Sequence, residues 1–254
     1  DGIYVLMKEV IDNCIDEHTM GYGKHVDVNI KDKTITVRDY GRGIPLGKAV
    51  DVVSKINTGA KYDSKAFQNS VGLNGVGTKA VNALSNYFKV TAFRDGKEKT
   101  AEFERGVLTQ DHKETKTTEE NGTLVTFVPD DKIFKNFHFV QGYLDNQFWN
   151  YCYLNAGLVM NLNNKRYVSK NGLLDLLQRK TNEDEIRYPI IHLKGEDIEV
   201  ALTHENDYGE EYYSFVNGQF TTQGGTHLAA FREALIKTIR EFYKKDYDAT
   251  DIRG

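Results

Sequence analysis

Apolar residues recur at helical spacing over the first stretch of the chain. At about 100° per residue, Ile3, Met7, Val10, Ile11, Cys14 and Ile15 fall on one arc. Glu9, Asp12, Asn13, Asp16 and Glu17 fall on the other. The pattern predicts an amphipathic helix with an acidic outer face. Alternation follows. Val26, Val28 and Ile30 share one side of residues 25–31, and Ile35 and Val37 share one side of 34–39. This predicts a strand hairpin turning at Lys31-Asp32-Lys33. Two glycines and Pro45 then stop the second strand in a sharp loop over 39–45. Ala49, Val52, Val53 and Ile56 lie at i, i+3, i+4 and i+7 and predict a further helix.

Residues 57–70 are polar and nearly devoid of apolar side chains, and they run into Val71-Gly72-Leu73-Asn74-Gly75-Val76-Gly77. A helix is predicted directly after, over about 78–84. Residues 88–94 and 100–104 read as strands joined at Asp95-Gly96. The charged, threonine-rich 111–121 reads as a solvated loop. Residues 123–128 form another strand, closed by Pro129. A long amphipathic helix is predicted over 139–156, a short hairpin over 158–161 and 165–168, and a helix over 171–180 with Asn171 or Ser169 as its cap. The composition turns polar and acidic at 181–185, the best candidate linker. Strands at 190–193, 198–203 and 212–216 follow. The glycine-rich turn 221–227 leads into a helix over about 228–243.

Composition narrows the class. The 254 residues, 39% of them hydrophobic, allow one large or two modest domains with a sizeable core. With 33 Lys+Arg against 37 Asp+Glu the net charge is -4. A chain that is basic throughout, built to clamp nucleic acid, is excluded, while a local patch or a partner subunit could still touch DNA. No apolar run approaches the ~18 residues of a membrane span, and there is no signal-peptide pattern. Cys14 and Cys152 sit in apolar helical contexts away from metal-ligand spacing and read as buried, reduced thiols. A cytoplasmic location is expected. Asp1-Gly2 leads straight into helix and 251–254 finishes no element, so the chain reads as a piece of something longer.

The chemistry lies in separated segments. Glu9, Asn13 and Glu17 are spaced i, i+4 and i+8 along one side of the first helix. A solvated face is the ordinary reading, but four acids beside one lysine, Lys8, make an odd one, since acids four apart repel. A carboxylate and an amide one turn apart suit a hard cation and a water to be activated. Gly72-Leu73-Asn74-Gly75-Val76-Gly77 is neither the dinucleotide fingerprint nor a phosphate loop ending in Gly-Lys-Ser/Thr. It still has the parts of an anion cradle, with close-approaching backbone and N–H groups at a helix start. Asp39, at a strand end, can accept from an amino group on a flat base.

Glu-x-x-x-Asn at 9–13, Asp-x-Gly-x-Gly at 39–43 and Gly-Leu-Asn-Gly-Val-Gly at 72–77 resemble the three nucleotide-binding boxes of the GHKL ATPase superfamily. The flanking segments 11–17, 41–45, 77–85 and 223–227 narrow the likeness. They resemble the ATPase (B-type) subunit of bacterial type II DNA topoisomerases, from end to end, and that of topoisomerase IV more than that of gyrase. The resemblance implies an α+β fold, with an ATP-binding two-layer sandwich of a mixed β-sheet and helices on one face over 1–183. The first part of an incomplete α/β transducer domain would follow over 184–254.

The resemblance also assigns roles. Glu9 is expected to be the general base for ATP hydrolysis and Asn13 the Mg²⁺ ligand. Asp39 would accept from the adenine amino group, helped by Thr123 through a shared water. Arg42, Gly43, Pro45 and Val52 would line the adenine pocket. Arg94 would lie at its mouth, with an ordinary surface role as the alternative. Gly59 and Lys61 would cover the phosphates with Gly72, Leu73, Asn74, Gly75, Val76 and Gly77, and for Lys61 too an ordinary surface role stays open. Glu17 would orient polar neighbours. The implied partners are DNA, an A-type cleavage subunit in a heterotetramer, and a second copy of the chain joined through an ATP-closed gate. No membrane partner is implied. The fragment itself is expected to bind ATP and turn it over poorly. Another ATP-driven clamp, such as a chaperone or repair protein, is disfavoured by residues 41–45 and 223–227. A sensor kinase is disfavoured by the absence of a preceding helix pair, and a non-enzymatic adaptor by the intact Glu9.

Overall fold

The computed structural model describes residues 2–55, 76–206 and 209–248. The chain divides by contact into two units, Asp1–Gly172 and Leu173–Gly254. The first begins with α1 (Gly2–Thr19) and the hairpin β1 (His25–Lys31) and β2 (Thr34–Asp39). A 3-10 turn (Leu46–Lys48), α2 (Ala49–Ser54) and α3 (Gly77–Ala83) follow. Next come β3 (Ser85–Arg94), β4 (Lys97–Glu104), β5 (Val107–Asp111), β6 (Thr115–Lys116) and β7 (Gly122–Pro129). The unit closes with α4 (Gln141–Leu154), β8 (Val159–Leu162) and β9 (Lys165–Val168).

These strands form one sheet in the order β5-β4-β3-β7-β2-β1-β8-β9, with β6 also pairing β4. Neighbours are antiparallel except β1 and β8, which run parallel. The sheet is therefore mixed. The period of two puts like residues on shared rungs. Ile35, Phe127, Phe88 and Phe103 stand side by side across four strands. Val28, Val37, Val125, Val90 and Ala101 form the next rung on the same face. All nine are buried, in one cluster with Leu6, Met7, Val10, Ile11, Cys14 and Ile15 of α1. Val53 of α2, Val81 of α3, and Leu144 and Phe148 of α4 join the same cluster. The first unit is thus two layers, with helices on one sheet face, as the α+β expectation holds.

Two sequence expectations need correction. Asp12 and Asp16 belong to the buried side of α1, at 5% and 4% exposure, although the helical wheel places them on the outer arc. The helix is covered on a second flank, toward Tyr151 of α4, whose phenol is pushed up by burial and further by the nearby charge of Asp12. A hydrogen-bonded ion pair with Lys8, one turn earlier, makes the burial of Asp12 tolerable. The stretch 111–121 is also not wholly loop. β5 and β6 pair with β4 at the sheet edge, although every one of their residues is exposed. With water on both faces, no alternation marks them as strands.

The second unit holds α5 (Leu173–Lys180), the hairpin β10 (Ile191–Lys194) and β11 (Glu199–Leu202), the hairpin β12 (Phe215–Val216) and β13 (Gln219–Phe220), and α6 (Thr226–Tyr243). Ser169 Oγ accepts from the Gly172 N–H just before α5, and Leu173 N–H donates to Glu199 of β11. The glycine-rich turn does precede a long helix. Gly224 and Gly225 both take positive φ, which side chains resist. His227, in the first turn of α6, shares a 2.5 Å hydrogen bond with Ser214. Among the described residues no helix is long and apolar enough to cross a membrane.

The phenylalanine rung gives a stability prediction. Phe127 is fully buried at its centre. Phe127→Ala should cost about 3–5 kcal/mol, read by urea denaturation of the isolated chain. A loss below about 1 kcal/mol would mean that the rung is not the centre of the core.

Candidate functional site

The inward series of β2 runs Ile35, Val37, Asp39. The third member occupies a core-facing position, opposite Val26 of β1, and is 7% exposed. Its carboxylate accepts from the Gly41 N–H at 2.9 Å and from the Thr123 N–H of β7. The Cys14 thiol of α1 lies 3.9 Å away. Burial pushes the Asp39 carboxyl up to about 6, and the negative charge of Glu17 adds to the shift. The two N–H groups and the Arg38 guanidinium oppose it. A carboxylate retained at such a position is a functional candidate, because structure alone would favour an apolar residue there.

The acidic face of α1 meets the start of α3. Asn13 donates through Nδ2 to the Glu9 carbonyl at 2.8 Å and to Thr78 Oγ1 at 2.8 Å. Asn13 is exposed, and among the described residues no donor meets its Oδ1. Glu9 is half-buried, and its carboxylate lies directly against Gly77, where a Cβ would overlap it. A side chain at 77 would have to push the end of Glu9 aside, so glycine lets that carboxylate rest against the helix start. Val76 precedes the helix as its N-cap, 42% exposed, and makes no side-chain cap hydrogen bond. The first N–H groups of α3 thus lack a side-chain cap and stand beside the Glu9 carboxylate.

Between these two clusters runs the loop after β2. Glu17 takes two hydrogen bonds from the Arg42 guanidinium, at 3.0 and 2.8 Å, and one from the Arg42 N–H at 3.0 Å. Glu17 thus holds Arg42 through both its side chain and its backbone N–H. Arg42 also lies over the Tyr22 ring at 4.6 Å. Gly43 has φ 74°, and a Cβ there would overlap the Phe93 carbonyl. The Gly43 carbonyl accepts from Arg94 at 3.2 Å, which ties Arg94 to this loop. Pro45 is exposed at the head of the 3-10 turn and Val52 is half-buried on α2. Asn82 of α3 donates to the Val53 carbonyl at 3.0 Å and so fastens α3 to α2.

The structure therefore brings Glu9, Asn13, Val76 and Gly77 together at the junction of α1 and α3. It gathers Asp39, Thr123, Gly43, Arg42 and Arg94 around the end of β2. Gly59, Lys61, Gly72, Leu73, Asn74 and Gly75 lie outside the described residues. Sequence reading misses Thr78 as the partner of Asn13, Asn82 as a helix fastener and Arg38 as a buried neighbour of Asp39. The first two are short polar residues on a predicted helix and carry no signal of their own. Arg38 falls on the polar side of an alternating strand, where a solvated side chain is the default.

Comparison with known proteins identifies the family. The family described as histidine kinase-, DNA gyrase B- and HSP90-like ATPase matches residues 1–133. The family described as DNA gyrase B matches residues 160–251. The B-type subunit of DNA topoisomerase 4 from Borreliella burgdorferi is 50% identical over all of this chain and 42% of its own length. The B-type subunit of DNA gyrase from Helicobacter pylori is 32% identical over 95% of this chain and 34% of its own. The solved 43K ATPase domain of Thermus thermophilus gyrase B, in complex with an aminocoumarin, matches with a TM-score of 0.78 and 27% identity. That match covers 98% of this chain and 71% of the other. The chain spans roughly two-fifths of the length of the curated relatives it matches. With half its length in the ATPase family and homology throughout, the chain belongs to the histidine kinase-, DNA gyrase B- and HSP90-like ATPases, in the group of the B-type, ATPase subunits of type II topoisomerases.

Proposed function

We propose that this chain binds ATP between α1, the end of β2 and the start of α3, that by itself it turns ATP over poorly, and that within the longer protein this site hydrolyses the bond to the terminal phosphate. The observation that carries the reading is the junction of α1 and α3, where a carboxylate, an exposed amide and an uncapped helix start converge. Asp39 would accept from the adenine amino group, with Thr123 beside it. Arg42, Gly43, Pro45, Val52 and Arg94 would border the base. Val76 and Gly77 would present backbone N–H groups to the phosphates, and Gly59, Lys61 and residues 72–75 would complete the cover.

The donor set fits Mg²⁺. Magnesium commonly takes one or two protein oxygens and completes its shell with water and phosphate, and Asn13 Oδ1 is such an oxygen. Among the described residues no group of three or more His, Cys, Asp or Glu forms a metal cage. When bound there, the ion would neutralise phosphate charge. Glu9 would orient a water on the terminal phosphate and accept its proton as the P–O bond to ADP breaks. Asn13, held by Thr78, would keep its oxygen aimed at the same space. The rate enhancement would come from positioning and electrostatics.

For the longer protein, we propose an ATP-driven type II topoisomerase in which two such subunits close as a gate. DNA and an A-type cleavage subunit would be its partners, in the cytoplasm. Residues 1–183 would be the ATPase domain and 184–254 the start of the transducer. The 50% identity to a topoisomerase 4 relative favours that subfamily over gyrase. Adding the cleavage subunit to the full-length protein should give ATP-dependent decatenation. Efficient negative supercoiling instead would assign it to gyrase.

Glu9→Ala in the full-length protein should lower ATP hydrolysis about 10²–10⁴-fold and leave nucleotide affinity within a few-fold. An unchanged rate would remove Glu9 from the role of base. Asp39→Asn should weaken adenine nucleotide binding instead, measured by calorimetry.

The shift at Asp39 also predicts a pH dependence. Its native pKa, about 6, lies above the unfolded value, so the folded state holds the extra proton. Its favourable contribution is complete below about pH 4 and is lost as pH rises through 6. Relative to Asp39→Asn, the ligand-free wild-type chain should therefore lose about 2 kcal/mol between pH 4 and pH 7. A flat difference in denaturation free energy across that range would contradict a buried, ionising Asp39.

A further inference from the structure

Arg38 is 8% exposed, and alternation along β2 puts its side chain on the sheet face opposite Asp39. One guanidinium nitrogen donates to the carbonyl oxygen of Asp39. The other donates to the Glu120 carbonyl at 2.6 Å. The group lies between two rings, 4.4 Å from the Phe93 centroid and 4.5 Å from that of Tyr40. Among the described residues no carboxylate pairs with it at ion-pair distance. A buried cation spent on two backbone carbonyls and two aromatic faces is costly unless it holds something in place.

What it holds is the backbone of Asp39. Register places Leu124 opposite Arg38, so the next step would face Asp39 with Thr123. The Thr123 N–H goes instead to the Asp39 carboxylate. The Asp39 carbonyl takes its hydrogen bond from Arg38. Gly122 permits this approach, since a Cβ there would overlap both the Asp39 carbonyl and the Arg38 guanidinium. One side chain thus bridges the end of β2 to the 120–122 turn while the Thr123 N–H serves the carboxylate on the other face.

We propose that Arg38 is a positioning residue for purine recognition, fixing the Asp39 backbone from behind so that its carboxylate is aimed at the adenine amino group. The proposal deepens the nucleotide reading and rests on Asp39 as the acceptor. Arg38 itself touches no nucleotide. Its positive charge also opposes the upward shift of the Asp39 carboxyl, against burial and Glu17, with the neutral Cys14 thiol close by.

The readout is base preference. Guanine carries a carbonyl where adenine carries its amino group, so a misplaced Asp39 loses adenine over guanine, whereas general loosening weakens both. Calorimetry would compare a non-hydrolysable ATP analogue with its GTP counterpart on the wild-type chain, Arg38→Met, Arg38→Lys and Asp39→Asn. Arg38→Met should lower the adenine-to-guanine affinity ratio about ten- to a hundredfold, and the double variant with Asp39→Asn should be no worse than Asp39→Asn alone. Arg38→Lys, which keeps the charge but not the fork, should fall between, and it decides the matter if Arg38→Met does not fold. If Asp39→Asn lowers the ratio and the Arg38 variants leave it unchanged, the positioning role is overturned. If Asp39→Asn itself leaves the ratio intact, the underlying nucleotide reading fails instead.

Discussion

The carboxylate of Asp39 stands where the alternation of β2 would place a third apolar side chain after Ile35 and Val37. Much of the surrounding architecture accommodates that one group. Two backbone N–H groups face it, and α1 brings Cys14 alongside. The β2–β7 ladder ends at Arg38 and Leu124, and the Thr123 N–H beyond it serves the carboxylate. Burial still raises its pKa to about 6, so the fold carries a destabilising charge at neutral pH. Such a group persists where a ligand needs a fixed acceptor away from water.

The second constraint is steric. Glu9 and Gly77 come from segments far apart in the chain, and a side chain at residue 77 would displace the Glu9 carboxylate from the place it holds. The Asn13–Thr78 hydrogen bond fixes the same junction one turn along α1. The core beneath it explains why α1 can act as a rigid arm. Its apolar arc is embedded against the rungs of the sheet, so Glu9 and Asn13 project from an anchored helix. Two clusters are set on one scaffold, one around Asp39 and one around Glu9 and Asn13. Their separation is set by the helix and the strand rather than by mobile loops.

Much of this is legible from residue order. Alternation in 25–39 marks the hairpin, and helical periodicity marks α1 and α4. Motif spacing singles out Glu9, Asn13, Asp39 and Gly77. The departures have local causes. A helical wheel sends Asp12 and Asp16 into water because it assumes one covered side, while α1 is covered on two. β5 and β6 escape notice as strands because a segment wet on both faces leaves no period-two signal.

Periodicity is a local property, so the linear order of residues settles which side chains could do chemistry and which elements carry them. It settles the family as well, because the motifs are short and contiguous. Folding adds the rest. That Asn13 meets Thr78, that Glu9 lies on Gly77 and that Arg38 turns back to hold Asp39 could not be read from spacing. Each is a contact between segments distant in the chain, or a side-chain direction imposed by neighbouring strands, and spacing along one element encodes neither.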